Sequence, residues 1–174
     1  MAVREPTVIY PEEHFQSAIV AVLKDILQTR RHQFILVESF GLDIALFVKA
    51  ESGTLARFIE VKAFGAQRIG GVGFGNGRGL GSQVDLLLLP AESLPLLNGM
   101  VGWVFADATQ PVGARRYCLF TRETAKAAAM GGVGRGKQNN LRISAFRDRL
   151  VDWTRLRTQV EQFVLTGQTI SAAG

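Results

Sequence analysis

Between Arg57 and Lys62 the chain reads Arg-Phe-Ile-Glu-Val-Lys, an apolar run carrying an acid and a lysine two residues apart. Read as a strand it alternates, so Phe58, Glu60 and Lys62 share one face while Ile59 and Val61 take the other. Placing a carboxylate and an ammonium on one side of an apolar strand is costly unless they serve each other or a ligand. Upstream, Asp43 opens a second apolar run, Asp43-Ile44-Ala45-Leu46-Phe47-Val48. The residues Glu51-Ser52-Gly53-Thr54 separate this run from Leu55, and the pair reads as a β-hairpin. Such a hairpin brings Asp43, at the start of one strand, beside Glu60 and Lys62, near the end of the next. Two carboxylates and an ammonium then converge, an inventory suited to a divalent cation and a phosphate. The same residues also admit a plainer reading, an edge strand whose Glu60 and Lys62 are solvated or paired with each other.

In this arrangement the chain resembles the PD-(D/E)XK nuclease superfamily. That family places an acid at the start of one strand and (Asp/Glu)-x-Lys on its neighbour. The matching residues are Asp43, Glu60 and Lys62, and Leu42 stands where the name's proline would be. The match runs from the helix at 11–29 to a strand at 84–89. The resemblance implies an α/β fold: a restriction-endonuclease-like αβββαβ core, with a mixed central sheet flanked by helices. It also implies DNA as substrate and Mg²⁺ or Mn²⁺ as cofactor. Asp43 and Glu60 would bind the cation with the carbonyl of Val61 as a further ligand, and Lys62 would act on the attacking water and the phosphate. Many members add an acid from the first helix, which makes Glu12 a candidate ligand. A non-catalytic nucleic-acid-binding module on the same fold is the alternative, and a protein whose basic helix binds an acidic partner is a third.

The 174 residues fit one domain with a real core, about 11–120, followed by a basic helical extension over about 121–166. Charge is uneven. Residues 111–174 hold eleven Lys and Arg against four Asp and Glu, a balance of +7, and residues 1–110 hold nine against eleven, a balance of −2. A nuclease needs both halves: carboxylates for metal and cations for the phosphate backbone. A single cysteine, Cys118, rules out a disulfide framework and a cysteine-built zinc site, and reads as a small buried strand residue. The most apolar window, 84–101, is interrupted by Asp85, Glu92 and two prolines, so no membrane span is expected and the protein is placed in the cytoplasm.

Pro11 to Thr29 reads as a helix, with proline at the first helical position and Glu12 and Glu13 at the positive end of its dipole. Phe15, Ile19, Val22, Leu23 and Ile26 form its apolar stripe. Glu12 falls on the border of that stripe and Glu13 points away from it. Phe34–Glu38, Leu86–Leu89, Val101–Ala106 and Arg116–Phe120 read as strands. Thr121 is expected to cap a short helix running to Met130.

Two glycine-rich runs interrupt this pattern. Residues 65–81 carry Arg68 and Arg78 among eight glycines, too many for the helix that usually follows the lysine strand. Residues 131–138 nearly spell a phosphate-binding loop, but Gln138 replaces its metal-binding hydroxyl and a helix precedes it where a strand should. Both runs can offer backbone N–H groups and cations to phosphates. The nucleic-acid contacts expected are Arg68, Arg78, Gln83, Arg135, Lys137, Gln138 and Arg142. Ser144 to Leu165 reads as one helix, with Phe146, Leu150, Trp153, Val160 and Phe163 on its apolar face. That stripe docks on the sheet and could also serve a second copy of the chain in a homodimer.

Overall fold

The structure is a computed structural model, described here over residues 3–38, 43–64, 71–73, 100–107, 109–128 and 140–167. It is α/β. Helix α1 (Glu12–Thr29) leads into strands β1 (Phe34–Glu38), β2 (Ile44–Ala50) and β3 (Gly53–Phe64), then the short β4 (Gly71–Gly73). Strands β5 (Val101–Asp107) and β6 (Arg116–Thr121) follow, then helix α2 (Arg122–Ala128), β7 (Asn140–Arg142), a 3₁₀ turn (Ile143–Arg149) and helix α3 (Trp153–Thr166). Among the described residues, no helix is long and apolar enough to cross a membrane.

The main sheet has the order β1-β2-β3-β5-β6 and is mixed. Strands β1 to β3 form an antiparallel meander, β3 and β5 run parallel, and β5 and β6 are antiparallel. A parallel pair needs a long crossover, and the chain between Phe64 and Val101 supplies the length. Alternation sorts the side chains by face. Ile44, Leu46 and Val48 of β2, Ile59, Val61 and Ala63 of β3, Val104 and Ala106 of β5, and Tyr117 and Leu119 of β6 form one core with α1 and α3. Across the sheet, Trp103 stacks on Phe120 at 5.9 Å, and Phe146 of the 3₁₀ turn packs on Phe120 at 4.6 Å and on Phe105 at 6.3 Å. This second face is therefore covered over β5 and β6, while on β1 Ile35 stays 65% exposed. Cys118 is fully buried, and burial pushes its thiol up to about 12, as suits a core residue that takes no part in chemistry.

Two boundaries differ from the sequence reading and a third agrees with it. Pro11 caps α1 from outside in extended geometry, and the helix proper begins at Glu12. The β2–β3 hairpin is tighter than four residues: Ala50 pairs with Gly53 around Glu51-Ser52, and Gly53 takes a φ of 128° that a side chain would resist. Thr121 ends β6 and stands directly before α2, which starts at Arg122, so it holds the N-cap position expected of it.

The stretch 144–165 is not one helix. Asp152 accepts a hydrogen bond from the Arg155 N–H at 2.8 Å and starts α3 afresh. Just before it, Val151 exchanges two backbone hydrogen bonds with Tyr117, at 2.8 and 2.7 Å. The apolar residues read as one stripe are thereby divided. Phe146 covers one face of the sheet, while Trp153, Leu156, Val160 and Phe163 pack on the other beside α1. Two ion pairs join those helices, Arg157 to Asp25 at 2.5 Å and Arg30 to Glu161 at 2.5 Å. The stripe offered as a dimer face is thus buried within the chain.

The Val151 bridge also guards the outer edge of β6, and the buried Gln159 of α3 accepts the Leu119 N–H there at 3.2 Å. The N-terminal segment crosses the same end of the molecule. Trp153 donates its indole N–H to the Val3 carbonyl at 3.0 Å, Tyr117 donates its hydroxyl to Glu5 at 2.7 Å, and Arg115 donates to the carbonyls of Pro6 and Thr7.

At Gly102 of β5, the ring of Phe163 lies where a side chain would begin: an added Cβ would stand 2.9 Å from Cζ and 3.0 Å from Cε1. Both are in a closed core, so the ring has little room to retreat. Gly102→Ala should cost about 1–3 kcal/mol of stability by overpacking, read as a lower denaturation midpoint at unchanged slope. An unchanged midpoint would show that the α3–β5 contact is loose.

Candidate active site

The candidate site lies where β3 outruns its neighbour. Strand β2 begins at Ile44, opposite Ile59, yet β3 continues to Phe64. The Phe58 N–H donates to the Met100 carbonyl at 2.6 Å, on the β5 side, so the odd-numbered N–H groups turn toward β2. Beyond Ile59 those are Val61 and Ala63, and β2 has no residue left to receive them. Side chains do so instead. Asp43 Oδ2 accepts from Val61 N–H at 2.7 Å, and Glu12 Oε2 accepts from Ala63 N–H at 2.9 Å. A buried peptide N–H left unpaired costs about 1–3 kcal/mol, so this edge calls for acceptors.

The arrangement around Asp43 is reciprocal. Its carboxylate accepts from the backbone beside Glu60, and Glu60 Oε2 accepts from the Asp43 N–H at 3.3 Å. Gln16 of α1 donates to the Asp43 carbonyl at 3.2 Å and fixes the same residue from the helix side. On standard bond lengths an aspartate's N lies at most about 4–5 Å from its own carboxylate oxygens, so the Asp43 and Glu60 carboxylates lie within about 8 Å of each other.

Lys62 completes the group. Its Nζ is 2.7 Å from Glu60 Oε1 and 3.1 Å from Glu12 Oε1. The side chain of Lys62 is 14% exposed and that of Glu60 only 4%, so this pair is largely out of water, while Glu12 stays partly solvated. Burial pushes the Glu60 carboxyl up to about 7; the negative charge of Asp43 adds to the rise, and Lys62 and the Asp43 N–H oppose it. Burial alone would lower the Lys62 ammonium, but Glu60, Glu12 and Asp43 together outweigh it and hold it above the ordinary lysine value.

The structure thus brings Glu12, Asp43, Glu60, Val61 and Lys62 together. Glu12 is half-buried at the site while Glu13 is exposed, as the border position on the helix stripe suggested. Arg68, Arg78, Gln83, Arg135, Lys137 and Gln138 lie outside the described residues, as does the strand at 84–89. For Arg142 only the backbone is described, in β7 opposite Gly71 of β4. That pairing was not foreseen: it ties the first glycine run to the segment just after the second. Gln16 was missed as well, although its place one turn after Glu12 on the same helix face was a signal.

Among the described residues, no three Asp, Glu, His or Cys are grouped so as to hold a metal ion by themselves. Two hard carboxylates nonetheless suit Mg²⁺, which commonly takes one or two carboxylates and completes its shell with water and substrate oxygens. The Val61 carbonyl leaves the strand on the same edge as its N–H, toward Asp43. The donor set fits such a cation.

The raised Glu60 carboxyl has a consequence for stability. Because it rises from 4.5 to about 7 on folding, the folded chain holds a proton between those pH values that the unfolded chain has released. Its contribution is full below about pH 4.5 and is lost as pH climbs to about 7. Urea midpoints measured across that window should therefore fall with rising pH, and Glu60→Gln should flatten the trend. A slope unaltered in that variant would mean that another group titrates there.

Compared with known proteins, the chain matches no family model, no curated protein and no solved structure.

Proposed function

We propose that this chain is a metal-dependent nuclease that hydrolyses DNA phosphodiester bonds, on a restriction-endonuclease-like fold. The observation that carries the reading is the convergence of Asp43, Glu60 and Lys62 at the open end of β3, with Lys62 Nζ 2.7 Å from Glu60 and Asp43 locked to Glu60 through the backbone. The order of elements agrees with it in part: one helix, three antiparallel strands and then a strand parallel to the third, although that strand is Val101–Asp107 and not the 84–89 stretch of the resemblance, and among the described residues no helix stands between β3 and β5.

In this reading Asp43, Glu60 and the Val61 carbonyl hold the cation. A bound Mg²⁺ or Mn²⁺ supplies charge neutralisation at the phosphate and lowers the pKa of a coordinated water. Lys62 orients that water and stabilises negative charge on the phosphate. Its rigid placement between two carboxylates keeps the ammonium at one point, and such fixed charge is most effective where water is scarce. The carboxylates repel phosphate, so the strand of DNA must be held by cations elsewhere. Arg68, Arg78, Arg135, Lys137 and Arg142, with Gln83 and Gln138, are the groups proposed for it.

Asp43→Asn and Glu60→Gln keep an oxygen for the backbone N–H groups that these side chains cap, so both variants should fold. Each should lose divalent-dependent cleavage of DNA by at least a hundredfold. Lys62→Ala should slow single-turnover cleavage far more than it weakens Mn²⁺ binding, because its role lies in the transition state. Cleavage by all three at the parent's rate, or no cleavage by the parent with Mg²⁺ or Mn²⁺, would overturn the reading.

A further inference from the structure

Glu12 sits in the first turn of α1 and reaches β3 with both carboxylate oxygens. Oε2 accepts from the Ala63 N–H at 2.9 Å, and Oε1 stands 3.1 Å from Lys62 Nζ. The two contacts differ in kind. The first is to a backbone that cannot move without breaking the strand, so it fixes the carboxylate. The second is to a long side chain that would otherwise be mobile, since a lysine holds its ammonium on four rotatable carbons.

Lys62 has a second acid, Glu60, at 2.7 Å. The two acids are not equivalent. Glu60 belongs to the pair, with Asp43, that could turn toward a cation, and any share of its charge given to a cation weakens its hold on Lys62. Glu12 is the more firmly anchored of the two, since its other oxygen accepts from the Ala63 N–H of the strand itself at 2.9 Å, whereas the other oxygen of Glu60 meets the Asp43 N–H at 3.3 Å. An ammonium released by Glu60 and held by nothing else would swing toward solvent.

We infer that Glu12 is a positioning residue for Lys62: clamped by the Ala63 N–H, it keeps the ammonium in place while Glu60 serves the cation. The role rests on the nuclease reading above, and it replaces the metal-ligand role that the sequence suggested for Glu12. The two roles make opposite demands on the same carboxylate. A ligand contributes to metal affinity, whereas a positioning residue contributes to the rate and to the order of Lys62.

The test compares the parent with Glu12→Gln, which keeps an acceptor for Ala63 but loses the charge, and with Glu12→Ala. Calorimetric titration of the DNA-free proteins with Mn²⁺ should give dissociation constants within about threefold of one another. Single-turnover cleavage at saturating Mn²⁺ should fall about tenfold or more in Glu12→Ala and less in Glu12→Gln. A tenfold loss of Mn²⁺ affinity in Glu12→Gln would make Glu12 a ligand and overturn the inference, as would a cleavage rate unchanged in both variants. A double-mutant cycle of Glu12→Gln and Lys62→Met on the unfolding of the metal-free protein reads the pair without reference to activity. The combined shift in the unfolding constant should miss the product of the single shifts by about threefold or more. Parent protein that takes up no Mn²⁺ overturns the nuclease reading, and the cycle alone then decides the pairing: coupling upholds it and independence overturns it.

Discussion

Two peptide N–H groups, those of Val61 and Ala63, set the terms for this end of the molecule. A strand that runs past its neighbour leaves donors along one edge, and a buried edge cannot leave them unsatisfied. Here Asp43 and Glu12 take the place of the missing strand. That requirement explains why carboxylates gather in an apolar setting, and why they come from two different elements. Asp43 ends the approach to β2 and Glu12 begins α1, so each lies at the margin of an element. Lys62 then balances the charge that Glu12, Asp43 and Glu60 bring. Removing one member of such a buried group exposes the others to an unmatched charge, which is worse than never having had the group.

The surrounding fold keeps this group rigid. Ile59, Val61 and Ala63 anchor β3 in the core beneath α1, while β5 pairs with it along the far side through Phe64. On that core face the buried Arg57 donates to the Phe163 carbonyl at 3.0 Å, near the end of α3. Burial lowers its guanidinium from the usual value without bringing it near neutrality. Helix α3 therefore meets the middle of the sheet twice, through a ring over Gly102 of β5 and a hydrogen bond from Arg57 of β3.

How much of this could be read from the residues follows from how local each signal is. The alternation in Phe58-Ile59-Glu60-Val61-Lys62 identifies a strand and its two faces without any partner in view, and the Asp43 run needs only a short turn to find it. The acceptor role of Glu12 depends on β2 stopping one residue short of Asp43, which no periodicity encodes. Gln16 is polar on a helix and looks like any solvated side chain until Asp43 is placed beside it. The 144–165 stretch misleads for a different reason. Phe146 and Trp153 fit one helical stripe, and only the Asp152 cap and the Val151–Tyr117 bridge show that they belong to opposite faces of the sheet. The β4–β7 pair joins residues about seventy apart and has only three residues on each side, too few to leave a pattern.

The strap of residues 3–7 over Arg115, Tyr117 and Trp153, with the Asp25–Arg157 and Arg30–Glu161 pairs, binds residues 3–30 to β6 and α3. A chain is made from its N-terminus, so α1 leaves the ribosome long before the partners that cover it exist. Its stripe of Phe15, Ile19, Leu23 and Ile26 can meet β2 and β3 early, but the α3 side of that stripe stays open until α3 itself has been made. The meander is built from neighbours, and the enclosure of the core is long-range, a contact that pays its loop entropy last. Folding here is thus a matter of timing: α1 waits for α3.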